Sequence, residues 1–516
     1  MLPFKKEKES FQHGEDGDMN KFKTTSYPNQ SKMSYRIPNF LDGISAGFDS
    51  GLLPHSNAVF SYNFDFSGGA LKAGVGFKRG LIDLFDESKR EDVQAQLEGI
   101  GSIVRVFLYR AYDHDAESRS DKILLLNTDL VLFILDLDGE HTISRVRDIT
   151  FSSIPKAISY RLGGKDVLIL ASETDNLVVY DGENYPYEVL DAPKISSMDI
   201  HFERLFVTTT NEKARVLFSD DLDPTNWSID LSEAGFIEMV DERGALNRVV
   251  SFNDYLYVFR DYGISRLTAF GDQEGFSVSH LFVSSAKIYP ETVTVCGDQI
   301  LFLASNGLYS FNGYTTTKIL SELSAMFASA NDCAHGAYFC GKYYLSLNMK
   351  FDKRAEFDES GFSCNCLLEY DLKQKKYQLT RGVDVVHIQP ICVAGVEKLY
   401  LCARVISSEK YMVVELDRSG SFLGEPLVKV WRTDYFGFGK NQRNKVLRNF
   451  SATIAGSVQL KVLSDSGDSK TYDLESGNVS VNMLLFGSKF AFEFVSKSAD
   501  AKVLSPELVI MAGGGV

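Results

Sequence analysis

No stretch of this 516-residue sequence approaches the roughly 18 to 20 consecutive apolar residues that a membrane-spanning helix requires. The opening MLPFKKEKES is basic but has no apolar core of the kind a secretory signal carries, so synthesis and folding in the cytoplasm are expected. Cysteine is scarce and odd in number, seven in all, which argues against a disulfide framework and for small buried thiols. Cations are outnumbered: 54 Lys and Arg against 69 Asp and Glu leave a net charge of −15. General nucleic-acid binding wants a cationic surface and has little support here, whereas transient passage of DNA past an acidic wall that does not hold it is compatible with this balance. Two tryptophans weigh mildly against sugar stacking, although 24 tyrosines leave room for it. Helical periodicity is almost missing, and only DLFDESKREDVQAQL, from Asp83 to about Leu97, reads as a short helix.

What is present is a β-type phrase that recurs about every forty to fifty residues. It includes LILASETDNLVVYDG from Leu168, DYLYVFRDYGISRLT from Asp254, DQILFLASNGLYSFNG from Asp298 and EKLYLCARVISSEKYMVVELD from Glu397. Each copy pairs two apolar, aromatic-rich runs around a short polar break, as two antiparallel strands joined by a turn should read. One such unit cannot bury its own faces, whereas a row of them can by closing into a ring. Units placed near Lys122, Asp166, Arg204, Asp254, Asp298, Lys342 and Lys398 predict an all-β fold. Its centre is a β-propeller of six to eight blades over residues 103–425.

The flanks differ in texture. Residues 1–34 mix Lys, Glu, Ser, Gln and Asn without periodicity and read as a flexible arm that orders only against a partner. Residues 35–102 form a Gly-rich and aromatic segment carrying the one helix. Residues 426–511 alternate in six or so short strands and predict a small antiparallel β-sandwich, with 512–516 as a tail.

Chemistry-bearing motifs are weak. Ser219, Asp221, Asp223, Thr225 and Trp227 approach a sialidase Asp-box, but Asp223 stands where the box has glycine and Trp227 falls one residue late, so a self-satisfied turn is expected. Asp136, Asp138 and Glu140, like Asp220, Asp221 and Asp223, lack the full spacing of a calcium loop. Cys333, His335, Cys340, Cys364 and Cys366 match no common zinc spacing. There is no nucleophile elbow and no phosphate loop: SGGALKAGVGFKRG lacks the Gly-Lys-Ser/Thr ending. Neither an enzyme, a metal nor a cofactor is expected. One basic patch stands out, Arg432, Lys440, Arg443, Lys445 and Arg448, as a candidate for intersubunit or DNA-phosphate contact, with a solvated edge strand as the plain alternative.

Four pieces in order, IPNFLDGISAGFDSGLLPHSNAVFSYNFDFSGGALKAGVGF, VLFSDDLDPTNW, NGLYSFNG and WRTDYFGFGKNQRNKVLRNFSATIAGSVQLKVLSD, resemble bacteriophage tail β-propeller proteins. The likeness is to the hub, nozzle and packaged-DNA-stabilisation proteins below the portal of short-tailed phages. The resemblance covers most of the chain from about Tyr35 and rests on texture and order, with no catalytic motif. It implies a structural virion protein in the tail, forming a ring with copies of itself, often six. Such a ring continues or closes the channel for double-stranded DNA and docks the portal, adaptor and other tail proteins. The alternative expectation is a receptor- or carbohydrate-binding tail propeller, glycan-cleaving in one version.

Overall fold

The computed structural model describes residues 32–36, 40, 43–44, 57–113, 117–137, 142–183, 185–271, 273–351, 357–438 and 444–512. The arm expected over residues 1–34 lies outside the described residues except for its last three, which belong to the strand Lys32–Arg36.

Six four-stranded antiparallel sheets follow one another along the chain, each in simple sequential order. They span Ile103–Thr150, Lys156–Val189, Ile195–Glu238, Leu246–Val283, Thr294–Ile319 and His335–Thr380. A seventh sheet starts with Val383–Val393, Val396–Val405 and Met412–Asp417. The recurring sequence phrases are the second and third strands of blades two, four, five and seven. They read as unbroken apolar runs because a middle strand is covered on both faces. In blade two, Leu168 and Leu170 enter the core shared with blade one, while Val167, Ile169 and Ala171 enter the core shared with blade three. Strand alternation thus splits one apolar run between two interfaces.

Seven buried clusters result, one for each contact between neighbouring blades, including a cluster between blades seven and one built on Tyr400, Cys402, Ile123 and Leu125. The ring is therefore closed, and it is a seven-bladed propeller. The seven expected units match these blades, but each expected start falls at the second strand. The innermost strands are less uniformly apolar, as KAISYRL in blade two shows, so the hairpin phrase overshadows them.

Closure depends on a borrowed strand. Gly76–Arg79, from the Gly-rich segment, pairs antiparallel with Met412–Asp417 and becomes the fourth strand of blade seven. Phe77 enters the core with Phe422, Leu401 and Val414. The fit admits no side chain at position 76, where an added β-carbon would lie 2.7 Å from the Gly420 nitrogen. The helix, expected from Asp83, forms over Arg90–Gly99 after two 3-10 turns, and its Val93 joins Phe85 over the seam between blades seven and one.

The sandwich is likewise a shared product of both chain ends. One sheet runs Phe64–Asp65, Leu71–Ala73, Lys502–Ala512, Lys445–Ala455 and Gly477–Gly487, with Lys32–Arg36 also on Lys502–Ala512. The other runs Ala58–Tyr62, Lys429–Thr433, Phe490–Ser496, Val458–Ser464 and Ser469–Leu474. Residues 35–102, set apart as one segment by their composition, are thus divided between sandwich and propeller. Composition cannot reveal strand partners more than 300 residues away.

Asn63 joins the two bodies. Its side chain donates to the carbonyls of Arg381 at 3.0 Å and Val428 at 2.6 Å, and accepts from the Arg381 amide at 2.9 Å. It holds φ 61°, a left-handed conformation that asparagine tolerates well. Beside it the buried Arg381 guanidinium is bidentate to Glu359 at 3.0 and 2.6 Å and lies 3.7 Å from the centre of the Phe351 ring and 4.9 Å from that of Tyr62. The hydrophobic core runs without a break from the sandwich through Tyr62 and Phe64 into blades five and six. Replacing Asn63 by Ala should therefore lower stability by about 3 kcal/mol, roughly one per lost hydrogen bond. Chemical denaturation should register the loss in both bodies together, as a single transition moved to lower denaturant.

Candidate functional site: the propeller axis and its two mouths

The innermost strands carry ionisable side chains to the axis from almost every blade. Arg105 comes from blade one, Lys156 from blade two, Arg248 from blade four, His335 from blade six and His387 from blade seven. Glu291 sits in the short turn Pro290–Thr292 that leads into blade five. Lys156 reaches Glu291 at 2.6 Å, and Arg248 approaches the other carboxylate oxygen at 4.0 Å. Lys156 also donates to the carbonyl of Ser196 in blade three. Arg105 crosses from blade one to donate to the Val386 carbonyl of blade seven at 2.9 Å. The His387 Nε2–H faces the Val106 carbonyl at 3.2 Å, and its ring centre stands 5.0 Å from that of His335. Polar side chains thus tie opposite sides of the ring together across its middle.

The charges are unequal, three cations against one carboxylate. Burial by itself would raise the Glu291 carboxyl, yet Lys156 and Arg248 hold it well below the usual carboxylate range. Burial, with Arg105 adding to it, pushes His335 down to about 4 and His387 well below its ordinary value. Both imidazoles are neutral at pH 7, so the axis accommodates its excess positive charge by keeping its histidines uncharged.

The two ends of the axis differ. On the face where each inner strand begins, a pocket of about 240 Å³ is lined by Lys156, Ser196, Asn247, Asp261 and Glu291. On the opposite face, the inner hairpins of blades one to three open a wider groove of about 630 Å³, lined by Tyr112, Tyr160, Arg161, Phe202, Glu203 and Leu222 among others. Here large apolar side chains stand in water: Phe202, Leu222 and, packed edge-on to Phe202 at 5.0 Å, Phe270, which is 70% exposed.

The members of the basic patch fall in different surroundings. Arg432 pairs with the buried Glu493 at 3.4 Å, Lys445 is buried with its ammonium on the Ser488 carbonyl at 3.0 Å, and Arg448 is exposed. Lys440 and Arg443 lie outside the described residues. Lys445 and Arg448 share one strand with a bulge between Leu447 and Asn449, and simple alternation does not bring both outward.

The insertion in blade three is a self-contained turn. Asp223 accepts from the Thr225 amide and hydroxyl, Asp220 from Asn226, and the Trp227 indole N–H donates to the Pro224 carbonyl. Of the possible calcium-loop carboxylates near residue 136, Asp138 and Glu140 lie outside the described residues. Among the soft ligands, Cys364 and Cys366 are buried thiols with raised pKa, whereas Cys333 and Cys340 are exposed and His335 belongs to the axis. Among the described residues no group of three or more potential ligands could hold a metal ion. No helix there is long and apolar enough to cross a membrane.

The axial set escaped the sequence reading because its members lie 43 residues apart or more and no spacing links them. The one local signal was a basic or histidine residue near the start of an inner strand.

No family model and no curated protein matches the chain. Solved structures similar to it include the Kluyveromyces lactis Hsv2, 9% identical over 55% of this chain and 98% of its own, with a TM-score of 0.33. BBS1N, solved in complex with ARL6DN, is 12% identical over 61% of this chain and 96% of its own, with a TM-score of 0.36. The Neurospora crassa Pan2 WD40 domain is 9% identical over 62% and 89%, with a TM-score of 0.34. The propeller assignment stands on the sheets and cores of this chain.

Two outcomes are expected at the axis. Glu291→Ala leaves Lys156 and Arg248 without their counter-ion and should cost about 2 kcal/mol, less than for a fully buried pair because a third of the Glu291 side chain is open to water. Denaturant midpoints of the two proteins measure this. Secondly, His335 titrates near 4 when folded and His387 well below its ordinary value, against about 6.5 when unfolded. The unfolded chain therefore binds more protons between those values, and stability should be flat above pH 6.5 and fall as pH drops toward 4, by about 1 kcal/mol per imidazole at pH 5.5. His387→Gln should make the fall between pH 7.5 and 5.5 shallower.

Proposed function

We propose that this chain is a non-catalytic structural component of a phage tail, in which identical copies form a cyclic ring, of six by the sequence resemblance, around the path of double-stranded DNA. The ring continues or closes that path, helps retain packaged DNA, and offers its outer surfaces to portal, adaptor and other tail proteins. The observation that carries this reading is the tied axis. Side chains bridge the middle of the propeller, so the chain acts as a rigid block, and a conduit for DNA belongs between copies. The unbroken core from sandwich to blades five and six supports the same role, since a wall that resists pressure needs its two bodies held in one orientation. An overall charge of −15 suits a wall along which DNA slides without sticking.

A protein of this kind should assemble. Native mass spectrometry of the purified full chain, followed by electron-microscope class averages, is expected to give closed rings with one rotation axis and six copies. A species that stays monomeric at the concentrations of an assembling particle, and is missing from purified virions, would overturn the proposal.

A further inference from the structure

A strand at the rim of a sheet offers a row of unpaired N–H and C=O groups, and soluble proteins usually blunt such an edge with charge or proline. Most edges of this molecule follow that rule. Arg145 stands on the outer strand of blade one, Glu188 on that of blade two, Glu238 on blade three, Lys318 on blade five, and Glu425 beside Pro426 on blade seven. Lys470 stands on the edge of the second sandwich sheet, and the outer strand of blade six lies against the sandwich. Two edges break the rule. Gly477–Gly487 ends the first sandwich sheet and Ser277–Val283 ends blade four, and neither contains Lys, Arg, Asp or Glu. At the 24% of charged residues in the whole chain, these eighteen positions would hold about four. Gly477–Gly487 pairs with Lys445–Ala455 and Ser277–Val283 with Gly263–Thr268, and no described strand lies on the other side of either.

Strand alternation sends Met483 and Leu485 into the sandwich core and leaves Leu484 and Phe486 outward, 47% and 55% exposed. Farther along the same face the strand is polar but neutral: Thr453 donates to Asn478 at 2.8 Å and Asn449 to Ser480 at 3.1 Å. Only its last turn is approached from the other sheet, where the Ser464 hydroxyl donates to the Phe486 carbonyl at 2.6 Å. The sheet begins at Phe64–Asp65, which packs on blade six, and ends at Gly477–Gly487, so the bare edge faces away from the propeller. On blade four, Val283 is 57% exposed, and a bulge at Leu281 bends that edge without covering it. We propose that Gly477–Gly487 of one copy lies alongside Ser277–Val283 of the next and extends blade four by a fifth strand. Main-chain hydrogen bonds supply the affinity, and with no ion on either strand none has to be stripped of water as the edges close. Because the two edges differ, the contact is head-to-tail, the kind that repeats about a rotation axis. The inference rests on the ring reading above and names the contact that builds the ring.

The test uses the full chain with Leu484 replaced by the photoreactive p-benzoylphenylalanine, as a mixture of ordinary and nitrogen-15-labelled copies. After irradiation, mass spectrometry should find residue 484 joined to residues 277–283, with the mixed isotopes that mark a link between copies. Leu484→Lys and Val283→Lys each alter an exposed side chain and place a charge on a bare edge. Each should lower the fraction of rings in native mass spectra about tenfold, because an unpaired ammonium is then buried in the contact. The denaturant midpoint of the single chain should stay where it is in both. Rings that persist with both lysines, or whose links from residue 484 fall outside 277–283, would refute this contact and leave the ring itself standing. Links from 484 to 477–487 of another copy would refute it as well, by showing two-fold pairing of like edges. A wild-type chain that forms no ring removes the contact together with the ring.

Discussion

Ring closure is the constraint on which everything else in this molecule rests. Each blade buries both faces only because a neighbour lies on either side, and an open row of seven would leave two apolar faces in water. Closure here is completed by Gly76–Arg79, a strand from outside the blade sequence, whose admission requires glycine at position 76 because Gly420 passes so close. The helix and Phe85 then cover the last seam. The sandwich draws on the same stretch of chain, so the strands that close the propeller and those that build the second body are covalent neighbours. Asn63 and Arg381 turn that adjacency into a fixed joint.

The axis shows the opposite economy. Three cations and one carboxylate are gathered where water is scarce, an arrangement that contributes little net stability compared with apolar packing. Its effect is geometric. Lys156, Glu291 and Arg248 connect blades two and four to the turn entering blade five, and Arg105 connects one to seven, so relative sliding of the blades would separate charges. A propeller used as a rigid part gains from such ties, whereas one that opens around a ligand does not.

Much of the architecture was legible because the second and third strands of each blade are buried on both faces and therefore read as continuous apolar runs; Gln299–Ala304 and Tyr255–Arg260 are examples. The inner strands were less so, since they mix polar and apolar residues. The pairing of Gly76–Arg79 with Met412–Asp417, and of Lys32–Arg36 with Lys502–Ala512, was not legible at all: antiparallel partners carry no matching signal at that separation. The site was the least readable part. Its residues are single members of six separate units, brought together only by the closed circle. The basic run near residue 440 looked coherent in sequence, but Lys445 packs inward and Arg432 pairs with Glu493.

The borrowed strand also sets the order of events during synthesis. Residues 76–79 leave the ribosome more than 300 residues before Met412–Asp417, and blade seven cannot be finished until both exist. Blades one to six can stack as they emerge, but the circle stays open and its terminal faces stay wet until Met412–Asp417 has been made. High separation between partners slows the final step and prolongs exposure of unpaired edges. A nascent chain stalled anywhere before residue 412 is thus an unfinished ring with two sticky ends.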